Sequence, residues 1–322
     1  MGIVRAPRIG YNMAMNSVLT ARTVPIDQIS LHDQRFCVSY PLDDGALAAS
    51  IAKVGIIQPV ILVDAIPFLV ITGFKRLMAA LHLGYRDIPA VITQLGEREA
   101  LIRAIHDNIH RGLNLVEKAH AIDRMVHLGF AVEEIYDAMV LLDLQAHQKI
   151  LERLLALASA EESLKGFVTA HSLSMKNVQY LLRFDEEERA AIIDILSVLH
   201  LTESTVREVC EMLSLLKLRN GVIPFETLRG ATDTRELKTR LKGMTYPLLS
   251  ALHRKLEAIQ EAAALPPTID IKVDPFFEKE YIDISIRAKD EKDIAGATEK
   301  LRTLIDDGHM RSILDLTKGH VR

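Results

Sequence analysis

Val54-Gly55-Ile56-Ile57-Gln58-Pro59-Val60-Ile61-Leu62-Val63, then Leu69-Val70-Ile71-Thr72-Gly73-Phe74-Lys75-Arg76-Leu77-Met78-Ala79-Ala80, then Asp87-Ile88-Pro89-Ala90-Val91 decides how this chain folds. Short β-branched runs bracket an amphipathic helix whose first turn is Gly73-Phe74-Lys75-Arg76. A strand that passes through glycine into a helix leaves amides unpaired at the helix start, and Lys75 and Arg76 add two cations there. That combination suits an anion. Gly73 fits the junction because positive φ, or close approach of backbone to a phosphate, would be obstructed by a Cβ. A lone Gly-x-Lys-Arg is more often a tight turn with solvated cations, so a second element has to converge on the same spot.

That second element is Asp107-Asn108-Ile109-His110-Arg111, followed by Gly112-Leu113-Asn114-Leu115-Val116-Glu117-Lys118-Ala119. The order Gly55-Ile56-Ile57-Gln58-Pro59, Thr72-Gly73-Phe74-Lys75-Arg76, Asp107-Asn108-Ile109-His110-Arg111 with Leu113, Asn114 and Glu117 resembles the ParB partition-protein family. There the signatures read roughly Gly-Leu-x-Gln-Pro, Gly-Glu-Arg-Arg and Glu-Asn-x-x-Arg-x-x-Leu-Asn-Pro-x-Glu. The resemblance begins near Val24-Pro25-Ile26-Asp27-Gln28-Ile29 and runs through Leu173-Ser174-Met175, with its specificity concentrated in residues 54–117.

The resemblance implies an α+β protein: a ParB/sulfiredoxin-like α/β N-terminal domain, an all-α middle domain with a degenerate helix-turn-helix, and a small α/β C-terminal dimerisation domain. It implies that Gly55, Gln58, Pro59, Thr72, Gly73, Phe74, Lys75 and Arg76 surround CTP, with Asn108 and Arg111 approaching the phosphates. Asp107 stands where the family has a glutamate that holds Mg²⁺ with the neighbouring asparagine, so Asp107 and Asn108 are the expected metal ligands and Asp107 the expected catalytic group. Carboxylate and amide oxygens suit this hard cation. The implied reaction is slow CTP hydrolysis that resets a clamp closed around DNA by engagement of two N-terminal domains. Phe74 in place of the family's glutamate, and aspartate one methylene shorter at 107, favour nucleotide binding over hydrolysis.

Residues 1–23 carry Arg5, Arg8 and Arg22 with no acid and read as a flexible basic arm, which in the family often contacts a ParA-type ATPase. Strands and helices alternate over 24–112, the expected nucleotide-binding domain; 113–220 is almost wholly helical, with capping boxes at Asn114/Glu117 and Asp185/Glu188. Within it, 114–128, 132–140 and 145–158 have helix-turn-helix spacing. Gln145, Gln148, Lys149 and Arg153 are the expected DNA contacts, although the turn Leu141-Leu142-Asp143-Leu144 lacks the usual glycine. Residues 221–243 read as a basic linker. Over 244–322 a helix, two alternating strands and a final helix leave apolar faces that a second copy would cover, so a homodimer is expected through this domain.

Composition narrows the class. Formal net charge is −4, and it is unevenly spread: 11 basic and 9 acidic side chains over 1–113, 8 and 14 over 114–200, 20 and 20 over 201–322. An acidic middle segment is awkward for DNA. It leaves open a nucleotide-gated scaffold that binds protein or regulates transcription. A kinase on the same α/β scaffold also stays open. Sulfiredoxin chemistry needs a reactive cysteine by the phosphate loop, and Cys37 is in no such motif. His106 and His110 flank Asp107 at i and i+4 like a zincin pair, without an obvious third ligand. No apolar run is long enough to span a membrane and no secretory signal is present, so a cytoplasmic, nucleoid-associated protein is expected.

Overall fold

The computed structural model describes residues 20–318. The basic arm and its ParA-type partner therefore fall outside the described residues, save that Ala21–Thr23 belong to the first strand. The chain divides into two compact units, 1–207 and 208–322.

The first unit opens with β1 (Ala21–Pro25), a 3-10 turn at Ile26–Gln28, α1 (Gly45–Val54), β2 (Val60–Val63), β3 (Leu69–Thr72), α2 (Phe74–His82), β4 (Asp87–Thr93) and α3 (Glu97–Ile109). The sheet order is β1-β4-β2-β3, with β4 antiparallel to β1 and parallel to β2. The β2–β4 pairing begins at Val60 opposite Ala90, one residue past Pro89, so the imino residue sits where the strand has one paired neighbour. Val24, Val60, Leu62, Val70, Leu77, Ile88 and Ala90 share one core, to which β2 and β4 each contribute alternate residues, Val60 with Leu62 and Ile88 with Ala90.

Helices fill the rest of this unit: α4 (Leu115–His127), α5 (Val132–Leu141), α6 (Gln148–Ala158), α7 (Glu162–Ala170), α8 (Met175–Leu181), α9 (Glu186–Ser197) and the start of α10 (Glu203–Asn220). Asn114 and Asp185 cap α4 and α9 through the reciprocal bonds that their capping boxes predict. Among the described residues no helix is long and apolar enough to cross a membrane. Small sheet and helical remainder together make the chain α+β.

The second unit contains α11 (Phe225–Leu228), α12 (Thr234–Thr245), α13 (Pro247–Ala263), β5 (Ile269–Val273), β6 (Ile282–Ile286), α14 (Glu291–Asp306) and α15 (His309–Thr317). Residues 221–243, read as a linker, are instead mostly helix: Leu228, Leu237 and Leu241 are buried, and apolar anchoring outweighs the dense charge around them. The single final helix expected over 244–322 is instead two helices, broken where Gly308 takes φ 79°. Ile269 and Ile271 of β5 are buried, whereas their cross-strand partners Ile286 and Ile284 are 40% and 42% exposed.

Candidate functional site

Gly73 joins β3 to α2 in the left-handed region, φ 98°. A Cβ built on it would lie 2.8 Å from Val60 Cγ1 and 3.3 Å from Arg76 Cζ, so both conformation and space demand glycine. Glycine also supplies no side chain to cap the first-turn amides of α2.

Arg76 ties this turn to the preceding loop. Its Nη1 donates to the carbonyl oxygens of Gln58 and Pro59 at 2.7 and 2.9 Å. Burial draws the guanidinium below its ordinary value, and the Asp107 carboxylate acts in the opposite sense. Arg76 therefore fastens loop 55–59 to the Gly73 turn, within electrostatic reach of Asp107 at the end of α3. Gly55, φ 74°, ends α1; Gln58 is exposed and Pro59 half-buried.

The neighbouring side chains differ from one another in what they offer. Lys75 Nζ lies 3.6 Å from Asp44 Oδ2, which places its charge beside the residue that caps α1. Thr72 is buried, and its Oγ1 has no hydrogen-bond partner. Phe74, expected at the nucleotide's edge, is 6% exposed and packs into the core with Val60 and Leu77, so it presents little surface to a ligand. An aromatic ring at the first position of an amphipathic helix goes where apolar area is removed from water.

At the end of α3, Asp107 is exposed in the last turn, where carbonyl dipoles add negative potential. Asn108 Nδ2 donates to Ala104 O at 2.8 Å, and its Oδ1 accepts from Arg111 Nε at 3.0 Å. Arg111 does not stand free for a phosphate: its Nη1 and Nη2 donate to Glu117 Oε2 and Oε1 at 3.0 and 2.6 Å. Glu117, which the sequence offers as a capping residue of α4 and as the last residue of the family-like signature, is 1% exposed. His106 and His110 are exposed, and among the described residues no three His, Cys, Asp or Glu side chains gather as a metal cage. Cys37 is buried, which pushes its thiol up to about 11, the reverse of an activated cysteine.

In the expected DNA reader, Asp143 takes φ 55° in the turn before α6, the role a glycine was expected to fill. Gln145 lies in that turn rather than on a helix, because α6 starts at Gln148 after His147 in extended conformation. Gln148 and Lys149 are exposed and Arg153 is half-buried. Gln148 Nε2 donates to Glu152 Oε1 at 2.9 Å, so a carboxylate shares the presented face.

Residues 12–109 match the ParB N-terminal domain family. A probable chromosome-partitioning protein ParB of Vibrio cholerae is 28% identical over 151 residues, 45% of this chain and 50% of that protein. A probable plasmid-partitioning protein ParB of Thermus thermophilus is 27% identical over 211 residues, 62% of this chain and 67% of that protein. The solved C-terminally truncated chromosome-partitioning protein ParB of Caulobacter crescentus, complexed with CTP-gamma-S, is 18% identical and covers 54% of this chain and 97% of its own, with a TM-score of 0.26, too low to transfer geometry. The α/β part of this chain is thus similar to a ParB N-terminal domain. The match spans half the length of the Vibrio relative.

Proposed function

We propose that this chain is a DNA-partition protein whose α/β domain binds CTP with Mg²⁺ and uses that ligand to switch engagement between two N-terminal domains around DNA. The observation that carries the nucleotide half of this reading is Arg76, which fastens the Gln58-Pro59 loop to the Gly73 turn and feels the Asp107 carboxylate. Such a junction joins uncapped amides, a cation and an exposed carboxylate, the parts a triphosphate with its metal requires. The family and the partition relatives supply the DNA half.

Asp107 and Asn108 would hold Mg²⁺. Asp107 is exposed at a helix end rich in negative potential, and a carbonyl oxygen such as Asn108 Oδ1 keeps a second lone pair beyond the bond from Arg111. When bound, the cation neutralises phosphate charge. The ligand drives closure only to the extent that it binds the engaged state more tightly than the open one. The turn and start of α6 would face DNA through Gln145, Gln148, Lys149 and Arg153, and the exposed Ile284 and Ile286 side chains of β6 would pack on a second copy.

Calorimetric titration with CTP, ATP and GTP tests the nucleotide assignment: heat with CTP alone is expected, and equal heats for all three would remove the cytosine claim. A second reading, a nucleotide-gated protein-binding scaffold, is favoured by the acidic 114–200 segment and by Glu152 beside Gln148. DNA titration over a salt series separates the two, because phosphate contacts make affinity fall steeply with salt. Binding absent with and without CTP would leave the scaffold.

A further inference from the structure

Glu117 is a charged side chain almost wholly removed from water, 1% exposed, in the first turn of α4. A carboxylate survives such burial only when its oxygens are satisfied. Here Oε1 accepts from Arg111 Nη2 at 2.6 Å and Tyr40 N at 3.0 Å, while Oε2 accepts from Arg111 Nη1 and Asn114 N, both at 3.0 Å. The N-terminal end of α4 favours the negative charge as well.

Capping alone would not require this arrangement. The reciprocal bonds between Asn114 and Glu117 already complete the helix start, and the guanidinium fork is additional. A planar fork gripped at two nitrogens has its third nitrogen aimed by geometry. That third nitrogen, Arg111 Nε, donates to Asn108 Oδ1 at 3.0 Å, and Asn108 Nδ2 in turn donates to Ala104 O at 2.8 Å. One continuous chain of bonds therefore runs from the buried carboxylate to the amide at the end of α3.

We infer that Glu117 is a positioning residue for the cation that accompanies the nucleotide: through Arg111 it holds the Asn108 amide in the orientation a Mg²⁺–triphosphate requires. The inference rests on the nucleotide reading above. Glu117 itself touches no ligand. Without its grip, Arg111 loses its fixed direction, Asn108 loses the donor that orients it, and the metal position becomes loose. Tyr40 N on the same carboxylate ties the 39–41 loop to this relay as well.

The test is calorimetric CTP binding by the full chain across a series of Mg²⁺ concentrations, for wild type, Glu117→Gln, Arg111→Gln and the double variant. The Mg²⁺ midpoint is expected to rise about tenfold in each single variant, the usual scale for loss of a group that orients a metal ligand. High Mg²⁺ should restore wild-type CTP binding by mass action. The double variant should shift no further than the worse single, since both act along one path. Should either single variant fold poorly, the double variant, which leaves neither a buried carboxylate nor its guanidinium without the other, carries the same test. A wild-type midpoint in the variants, or a loss of CTP binding that excess Mg²⁺ does not restore, overturns the inference and leaves the nucleotide reading standing. No CTP heat from wild type at any Mg²⁺ concentration removes both.

Discussion

Val60 and Gly73 leave no room for a single additional carbon between them, since a Cβ on Gly73 would fall 2.8 Å from Val60 Cγ1. Gly73→Ala therefore combines a left-handed alanine with a clash against a fully buried valine. Urea denaturation is expected to show a loss of roughly 2 to 4 kcal/mol. Val60→Ala in the same chain should relieve the steric part and not the conformational part. A Gly73→Ala protein of wild-type stability would contradict this account of the turn.

Arg76 is a different kind of fastening, since it grips two carbonyl oxygens from a half-buried position. Arg76→Ala should abolish CTP binding by releasing the Gln58-Pro59 loop and removing the cation at once. Arg76→Lys keeps the charge but cannot reproduce a rigid planar grip, so calorimetry should find it weakened rather than silent. Asp107→Ala is expected to leave most nucleotide affinity and to impair Mg²⁺-dependent turnover or closure, read by cross-linking of engaged domains.

His120 supplies a pH signature. Burial is the main reason that it is pushed down to about 4 from an ordinary 6.5, with Arg124 and Lys165 adding to the effect, and its ring stands edge-on to Tyr40 at 5.8 Å. The folded state thus keeps the imidazole neutral in a range where the unfolded chain binds a proton. Stability should fall as pH drops from about 6.5 towards about 4. In His120→Gln that component is missing, so the difference in melting temperature between the two proteins should narrow as acidity increases. A constant difference across the range would refute the assignment.

Ile284 and Ile286 test the pairing of copies. Both are on the strand partly left uncovered, opposite buried Ile271 and Ile269. Ile284→Lys with Ile286→Lys should shift sedimentation from dimer to monomer while far-UV dichroism is retained. A mixture unaffected by these changes would place the dimer contact elsewhere.

The Gly73 turn was legible in the sequence because strand, glycine and amphipathic helix are local patterns, and the same holds for the capping box at Asn114 and Glu117. What sequence could not reveal is partnership across space. Arg111 reads as a phosphate ligand until Glu117 is seen folded beneath it, and Phe74 reads as a polar residue's replacement until its ring is found in the core. The glycine-free turn concealed the start of α6 because Asp143 takes the left-handed role, and dense charge over 221–243 hid the buried leucines of α11 and α12.

Three cations in and around α12 are already neutralised within their own unit: Arg229 by Glu226 at 2.9 Å, Arg240 by Glu236 at 2.5 Å and Lys238 by Glu208 at 2.7 Å. A polyanion reaching them would have to displace carboxylates rather than loosely held ions. Little entropy from freed counterions is available there. A polyanion therefore gains less from these three residues than their charge suggests.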